Sequence, residues 1–165
     1  DKKFSSYVIR KLSQKDVSIY AWIIDKESRR VKDTPENYGL ILSYILKYGF
    51  TFGGWDKVYI DQKYTKERDK DKLYRTLEIF LGGEVVKKVR FEKSEQEPGL
   101  ALADFVAGEF YLAYNGNDRS LKDMLKSNIA LEEKVLWRYL KQKAMPPGDP
   151  TALTSRTPVR PLTAA

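Results

Sequence analysis

The sequence predicts an α/β domain in which helices pack on a sheet. Runs of β-branched and aromatic residues alternate with segments whose apolar residues recur at helical spacing, and this alternation is typical of α/β folds. Hydrophobic residues make up 42% of the chain and charged residues 32%, as in an ordinary globular protein. A chain of 165 residues is long enough for one domain with a substantial core and short for two. We therefore predict a single domain over residues 1–144.

The first part of the chain predicts two helices and two strands. Apolar residues at helical spacing indicate an opening helix over 4–12. The run VSIYAWIID, residues 17–25, is typical of a strand that is covered on both faces. A second helix is predicted over 38–48, with Gly49 at its C-terminal cap, and a short strand, KVYID, over 57–61.

The second part predicts three helices and one strand. Leucines and a phenylalanine at helical spacing indicate a helix over 66–81, which the next two glycines end. The segment EVVKKVRFE, residues 84–92, favours a strand. Pro98 suits the first turn of a helix over 98–114, and a long C-terminal helix is predicted over 120–143.

The last segment, residues 145–165, differs from the rest of the chain. It holds five prolines, at Pro146, Pro147, Pro150, Pro158 and Pro161, and it is rich in Thr and Ala. Such a composition buries little apolar surface, so we predict a flexible tail, or one foreign to the natural gene.

The residue types present narrow the available chemistry. The chain has no cysteine and no histidine, which excludes disulfides, thiolate or imidazole catalysis and typical zinc sites. A bound metal must therefore take oxygen ligands, which suit Mg²⁺, Mn²⁺ or Ca²⁺. No apolar run is long enough to span a membrane and no signal pattern is present, so we expect a cytoplasmic protein without a membrane partner. The formal net charge of +7 is compatible with nucleic acid as a partner.

Two aspartates stand out within this chemistry. Asp104 lies in GLALADFVAG, on the helical face that also carries the small residues Ala101, Ala107 and Gly108. Those small residues predict a close approach of a buried helix to a sheet, and a buried carboxylate needs a cation or hydrogen bonds. Asp61 ends the predicted strand 57–61, and ligands of open α/β sheets bind beyond such strand ends. The simpler alternatives are that Asp104 is a cap or forms an ion pair, and that Asp61 opens a turn.

These motifs resemble a known family. The order IYAWIID, helix, VYID, helix, VVKKVRFE and KSEQEPGLALADFVAGEFY, over residues 4–114, is similar to the downstream part of domain-of-unknown-function family 3800, whose members have a ribonuclease H-like fold. The resemblance implies a ribonuclease H-like sheet with a carboxylate site for Mg²⁺ or Mn²⁺ that hydrolyses phosphodiesters. It matches Asp61 and Asp104 to two metal-binding catalytic residues. Two metals bridged by carboxylates can activate water without His or Cys.

The sequence departs from that family in two places. Ala101 stands where the family has Gln, and the Asp-Glu-Ser-Gly motif of the family's first strand is absent. We therefore expect a sheet that is incomplete at its N-terminal side and that a second polypeptide or an oligomer completes. Glu92 and Asp25, which end other predicted strands, are further candidate metal ligands, or else ordinary exposed strand-end acids.

The sequence thus predicts a metal-dependent nuclease-like domain acting on DNA or RNA. Lys93 and Ser94, in the loop before the GLALAD helix, are candidate nucleic-acid contacts, or else solvent contacts. The alternative is an inert module for nucleic-acid binding or protein assembly that keeps the fold without catalysis, which the missing first-strand motif favours.

Overall fold

A computed structural model of the protein describes residues 2–116 and 118–143. The predicted tail, residues 145–165, lies outside them. The helices of the described part are α1 (Lys2–Ser13), α2 (Pro35–Thr51), α3 (Glu67–Leu81), α4 (Gly83–Val86), α5 (Pro98–Asn115), α6 (Ser120–Met124) and α7 (Trp137–Lys143). The strands are β1 (Ile19–Asp25), β2 (Val58–Asp61), β3 (Val89–Glu92) and β4 (Ile129–Leu136). The predicted α/β class is therefore confirmed.

The described strands form two parallel sheets of two strands each. β1 pairs with β4, in a register that runs from Ile19 opposite Ile129 to Asp25 opposite Leu136. β2 pairs with β3 in an unbroken register. A ribonuclease H-like sheet joining all strands stays a prediction. Parallel strands are normally buried on both faces, and β1 follows this rule, because alternate residues pack into two different hydrophobic clusters.

Helices α2 and α3 cover the β2–β3 sheet. The Thr34 hydroxyl accepts a hydrogen bond from the Asn37 N–H at 3.2 Å, and Pro35 takes the first helical position, so α2 begins where its local sequence dictates. The two helices and both strands of the sheet share one core. Each of α2, α3, β2 and β3 contributes at least one buried residue to it. That core consists of Leu42, Leu46, Ile60, Leu73, Leu77, Val86 and Val89.

Two of the predicted elements need correction. Only the second half of the segment 84–92 is a strand, because Gly82, at φ 78°, ends α3 and a further turn of helix, α4, follows it. Val86, in α4, is buried in the α2–α3 core, so packing favours the helical turn over an extended backbone.

The long helix predicted over 120–143 is wrong. Its segment consists of α6, a 3₁₀ turn over Lys126–Asn128, strand β4 and only then α7. The residues of β4 (IALEEKVL) alternate between more and less exposed positions, as in a strand. Its pairing with β1, over a hundred residues earlier, outweighs the helix propensity of its Leu, Glu and Lys side chains.

Candidate functional site

Two of the candidate carboxylates lie side by side at a strand edge. Asp61 and Glu92 are the last residues of β2 and β3, and they are partners in the parallel register. Adjacent strands are about 4.8 Å apart, and residues in register project to the same face. The Gln62 N–H donates to the Glu92 carbonyl oxygen at 2.9 Å and extends the pairing past the strand ends. The backbone on which both acids stand is therefore ordered by pairing.

The face that carries this acid pair points away from the core. Ile60, one residue before Asp61, is 8% exposed and packs in the α2–α3 core together with Phe91, its partner in register. Because side chains alternate along a strand, Asp61 and Glu92 lie on the opposite face. Asp61 is exposed and Glu92 is half-buried. Like charges opposite each other destabilise a sheet, so a cation at this position would relieve repulsion.

Asp61 also acts electrostatically on the aromatic residues nearby. Burial raises the pKa of the Tyr38 hydroxyl above its ordinary value, and the negative charges of Asp61 and Asp33 raise it further. The Tyr38 ring contacts the Tyr64 ring, with centroids 5.9 Å apart. Asp61 therefore lies within electrostatic range of Tyr38, whose ring contacts that of Tyr64.

Asp25 belongs to the other sheet. Its carboxylate accepts from the Lys134 ammonium at 2.8 Å and from the Glu27 backbone N–H at 2.8 Å. The hydrogen bond from Lys134 is the main reason why the pKa of Asp25 lies below its ordinary value. Asp25 thus has partners that account for its charge, and the pairing of strands does not bring it to Asp61.

Asp104 lies on the solvent side of α5. The expectation that this helix buries its small-residue face is wrong, because Ala101, Asp104, Ala107 and Gly108 are all exposed. A Cβ atom built on Gly108 would meet nothing within 4 Å, so no sheet approaches closely there. The buried acid of this helix is Glu109, which is 8% exposed. Helix α5 does contact β2, the strand that ends at Asp61.

Lys93 and Ser94, the candidate nucleic-acid contacts, directly follow Glu92 in the sequence. Lys93 is exposed and Ser94 is half-buried, in the turn that leads from β3 to α5. The Lys93 carbonyl oxygen accepts hydrogen bonds from the N–H groups of Gln96 and Glu97, at 2.9 and 3.2 Å. This turn holds Lys93 one residue beyond Glu92.

The donors present suit a hard divalent cation only in part. Carboxylate oxygens are the ligands that Mg²⁺ and Mn²⁺ prefer, and Mg²⁺ is often bound by one or two carboxylates together with water and substrate phosphate. Among the described residues, no group of three or more acidic side chains is placed to hold one metal ion. Asp61 and Glu92 could thus provide two of the ligands of a cation at the strand ends, and water or substrate would have to provide the others.

Sequence reasoning missed two polar clusters. In one, the Lys63 ammonium lies 2.7 Å from the Asp33 carboxylate and 5.1 Å from the centre of the Tyr38 ring. In the other, Lys122 and Tyr114 both donate to Glu132, a residue of β4. Neither cluster has a sequence signal, because its members come from separate elements that only the fold brings together.

No protein-family model, curated protein or solved structure matches the chain. The resemblance to family 3800 therefore stays a prediction that rests on its quoted residues. None of the helices in the described part of the chain is both long and apolar enough to cross a membrane.

Proposed function

We propose that the chain provides a metal-dependent phosphodiester hydrolase site, of ribonuclease H-like type, at the edge where β2 and β3 end. The observation that supports this proposal best is the register of Asp61 with Glu92, which sets two carboxylates next to each other on a polar, accessible face. The substrate class is nucleic acid, DNA or RNA, in agreement with the formal net charge of +7.

In this proposal the acid pair binds Mg²⁺ or Mn²⁺. Asp104, which is exposed on α5, is left out, because no third acid is placed beside the pair among the described residues. A metal bound there would polarise a phosphodiester and lower the pKa of a water molecule. The residues of the chain orient the reactants: Asp61 and Glu92 fix the position of the cation. Lys93, in the following turn, binds a neighbouring phosphate. Asp25 is left out, because Lys134 already neutralises its charge.

The proposal is tested by calorimetric titration of the whole chain with Mn²⁺, followed by cleavage of fluorescent single-stranded DNA and RNA. We expect binding at millimolar Mn²⁺ or below and cleavage that EDTA abolishes. Asp61→Asn and Glu92→Gln should each weaken Mn²⁺ binding by about tenfold or more. Asp104→Asn, which changes an acid outside the pair, should leave Mn²⁺ binding unchanged.

The matched control is Asp56→Asn. Asp56 is an acid two residues before β2, its side chain is 96% exposed, and its ion pair with Lys88 spans 3.4 Å. It should leave both Mn²⁺ binding and cleavage unchanged. Equal Mn²⁺ binding by the wild type and the Asp61→Asn variant would contradict the proposed site.

A second candidate function is an inert module for assembly or nucleic-acid binding. It is favoured by the two-stranded parallel sheets, whose outer edges pair with no further strand among the described residues, and by the lack of a third acid at Asp61 and Glu92 in the same part of the chain. On this reading a second polypeptide or a second copy adds a strand. Absence of Mn²⁺ binding at millimolar metal, with a dimer or larger species in light scattering, would favour it over the hydrolase.

A further inference from the structure

A small cavity lies on the core side of the sheet edge that carries the acid pair, between the segment after β2 and helix α3. Its volume is about 170 Å³. Leu73 and Phe91, which line it, also contribute to the α2–α3 core, so its floor is apolar. Gln62, Lys63 and Lys70 provide polar and cationic groups at its rim. An apolar floor with a few polar groups is the usual composition of a ligand site.

The aromatic side chains of this cavity suit a planar ligand. Tyr74 is 37% exposed, and its ring lies 5.3 Å from that of Phe91 at an interplanar angle of 76°. Tyr64 also lines the cavity. Aromatic rings that stay accessible beside a cationic rim are typical of sites that stack nucleobases.

The two ammonium groups can exchange their present partners for a phosphate. Lys63 pairs with Asp33 at 2.7 Å, and Lys70 pairs with Glu67 at 2.8 Å. Both carboxylates are well exposed, with side-chain exposures of 68% and 81%. Exposed pairs of this kind are weak, so the phosphate of a bound nucleotide competes with the carboxylate partner of each lysine.

The cavity shares its sheet edge with the proposed metal site. Gln62 directly follows Asp61, and Phe91 directly precedes Glu92. Because neighbouring residues of a strand project to opposite faces, the cavity lies on the core side of this edge and the acid pair on the other side. The proposed base site and the proposed metal site therefore share one sheet edge.

We propose that this cavity is a nucleotide subsite, in which one base stacks against Tyr74 while Lys63 and Lys70 bind the adjoining phosphate. The inference deepens the proposed hydrolase function and rests on it for the choice of nucleic acid as substrate. A volume of about 170 Å³ is below the range of roughly 300–1,000 Å³ for whole drug-sized ligands. The cavity therefore takes a single base, and the sugar and phosphate stay at its rim.

The test is an NMR-detected titration of the whole chain with AMP and with ribose 5-phosphate, both in EDTA. We expect AMP to shift the amide signals of Gln62, Lys63 and Lys70. Ribose 5-phosphate, which lacks the base, should bind at least about tenfold more weakly than AMP. Equal affinity for the two ligands, or no binding of AMP, would overturn the subsite.

Three variants locate the binding. Tyr74→Leu keeps an apolar group against Phe91 and should weaken AMP binding by about tenfold. Tyr59→Leu is the matched control: Tyr59 is 40% exposed, close to the 37% of Tyr74, and it lies outside the cavity. Lys70→Gln should weaken AMP binding severalfold and leave adenosine binding unchanged. An equal loss in the Tyr59 and Tyr74 variants would contradict the assignment.

The outcomes separate the subsite from the hydrolase. In EDTA, the part of AMP binding that Tyr74→Leu removes reports on the cavity, while calorimetry with Mn²⁺ alone reports on Asp61 and Glu92. Loss of AMP binding in Tyr74→Leu with unchanged Mn²⁺ binding supports the subsite. AMP binding without Mn²⁺ binding would contradict the hydrolase and support the subsite as part of a nucleic-acid-binding module.

Discussion

At the scale of single residues, Glu132 links three elements. The Lys122 ammonium of α6 lies 2.5 Å from its carboxylate, and the Tyr114 hydroxyl of α5 also donates to it. The same ammonium lies over the rings of Phe110 and Tyr114, at 5.5 and 5.2 Å from their centres. The side chain of Lys122 is 14% exposed and that of Glu132 is 24% exposed, so the charged groups of this pair are partly shielded from solvent.

The protonation of these groups follows from their contacts. Burial raises the pKa of Glu132, but the hydrogen bonds from Lys122 and Tyr114 outweigh it, so the pKa lies below its ordinary value of 4.5. The hydrogen bond to Glu132 raises the pKa of Tyr114 to about 12. At neutral pH the carboxylate is therefore charged and the phenol is protonated, which is the combination that this network needs.

We predict that Glu132→Gln lowers the free energy of unfolding by about 1 kcal/mol at pH 7. Because the folded-state pKa of Glu132 is lowered, its stabilisation is complete above the ordinary pKa of 4.5 and is lost as the pH falls through the folded-state value. The difference between wild type and variant should thus shrink below pH 4.5. Urea unfolding at a series of pH values measures it. The control is Glu95→Gln, an exposed acid in the turn before α5, and a constant difference across pH would contradict the prediction.

At the scale of elements, two glycines within helices have opposite environments. Gly49, near the end of α2, is buried, and a Cβ built on it would lie 1.9 Å from a ring carbon of Trp55. Trp55 in turn contacts the rings of Tyr20 and Trp22 in β1, with centroids 5.8 and 6.5 Å away. The missing side chain at Gly49 thus lets one indole join α2 to the β1–β4 sheet.

We predict opposite signs for alanine at the two helical glycines. Gly49→Ala should destabilise the protein by roughly 2 kcal/mol or more, because Trp55 must move out of its contact with α2. Gly108→Ala meets open space in α5 and should stabilise by roughly 0.5–1 kcal/mol, through helix propensity alone. Thermal unfolding followed by circular dichroism measures both. Destabilisation by Gly108→Ala would show that α5 has a close neighbour at that position.

These elements show which parts of the fold the sequence could predict. The helices over 38–48 and 66–81 were predictable, because their apolar periodicity and terminal glycines are local signals. Strand β4 was not, because its pairing with β1 depends on residues more than a hundred positions away. The strand predicted over 84–92 was half right. Its first half is helix α4, whose four residues are too few to show a helical period.

The sequence could likewise predict some features of the candidate site and not others. The positions of Asp61 and Glu92 at strand ends followed from local pattern, and the strand register brings them together. The exposure of Asp104 did not follow, because α5 is apolar on nearly all sides and its pattern does not specify which face packs. The cavity beside the acid pair was also beyond sequence reasoning, since its lining comes from α3, β3 and the segment after β2.

At the scale of the whole molecule, three hydrophobic clusters share their elements. Besides the α2–α3 core, a second cluster is built on Ile9, Val106, Phe110 and Leu125, and it includes Ile19 and Ile129 at the start of β1 and β4. A third is built on Val135, Trp137 and Leu140, and it includes Ile24 of β1 and Ile41 of α2. The β1–β4 sheet therefore joins the second cluster to the third, and α2 joins the third to the first.

Shared elements of this kind predict one cooperative folding unit among the described residues, which is what the predicted single domain requires. Leu77, in the first cluster, and Leu125, in the second, are both 0% exposed. Replacing either by alanine should cost about 2–5 kcal/mol. If the unit is cooperative, each variant lowers the midpoint of one common transition, and tryptophan fluorescence and circular dichroism give the same curve. Urea unfolding with both probes makes the test.

Two separate transitions, with Leu77→Ala shifting one and Leu125→Ala the other, would show instead that the β2–β3 and β1–β4 halves fold independently. The Asp61–Glu92 edge would then depend for its stability on the first cluster alone.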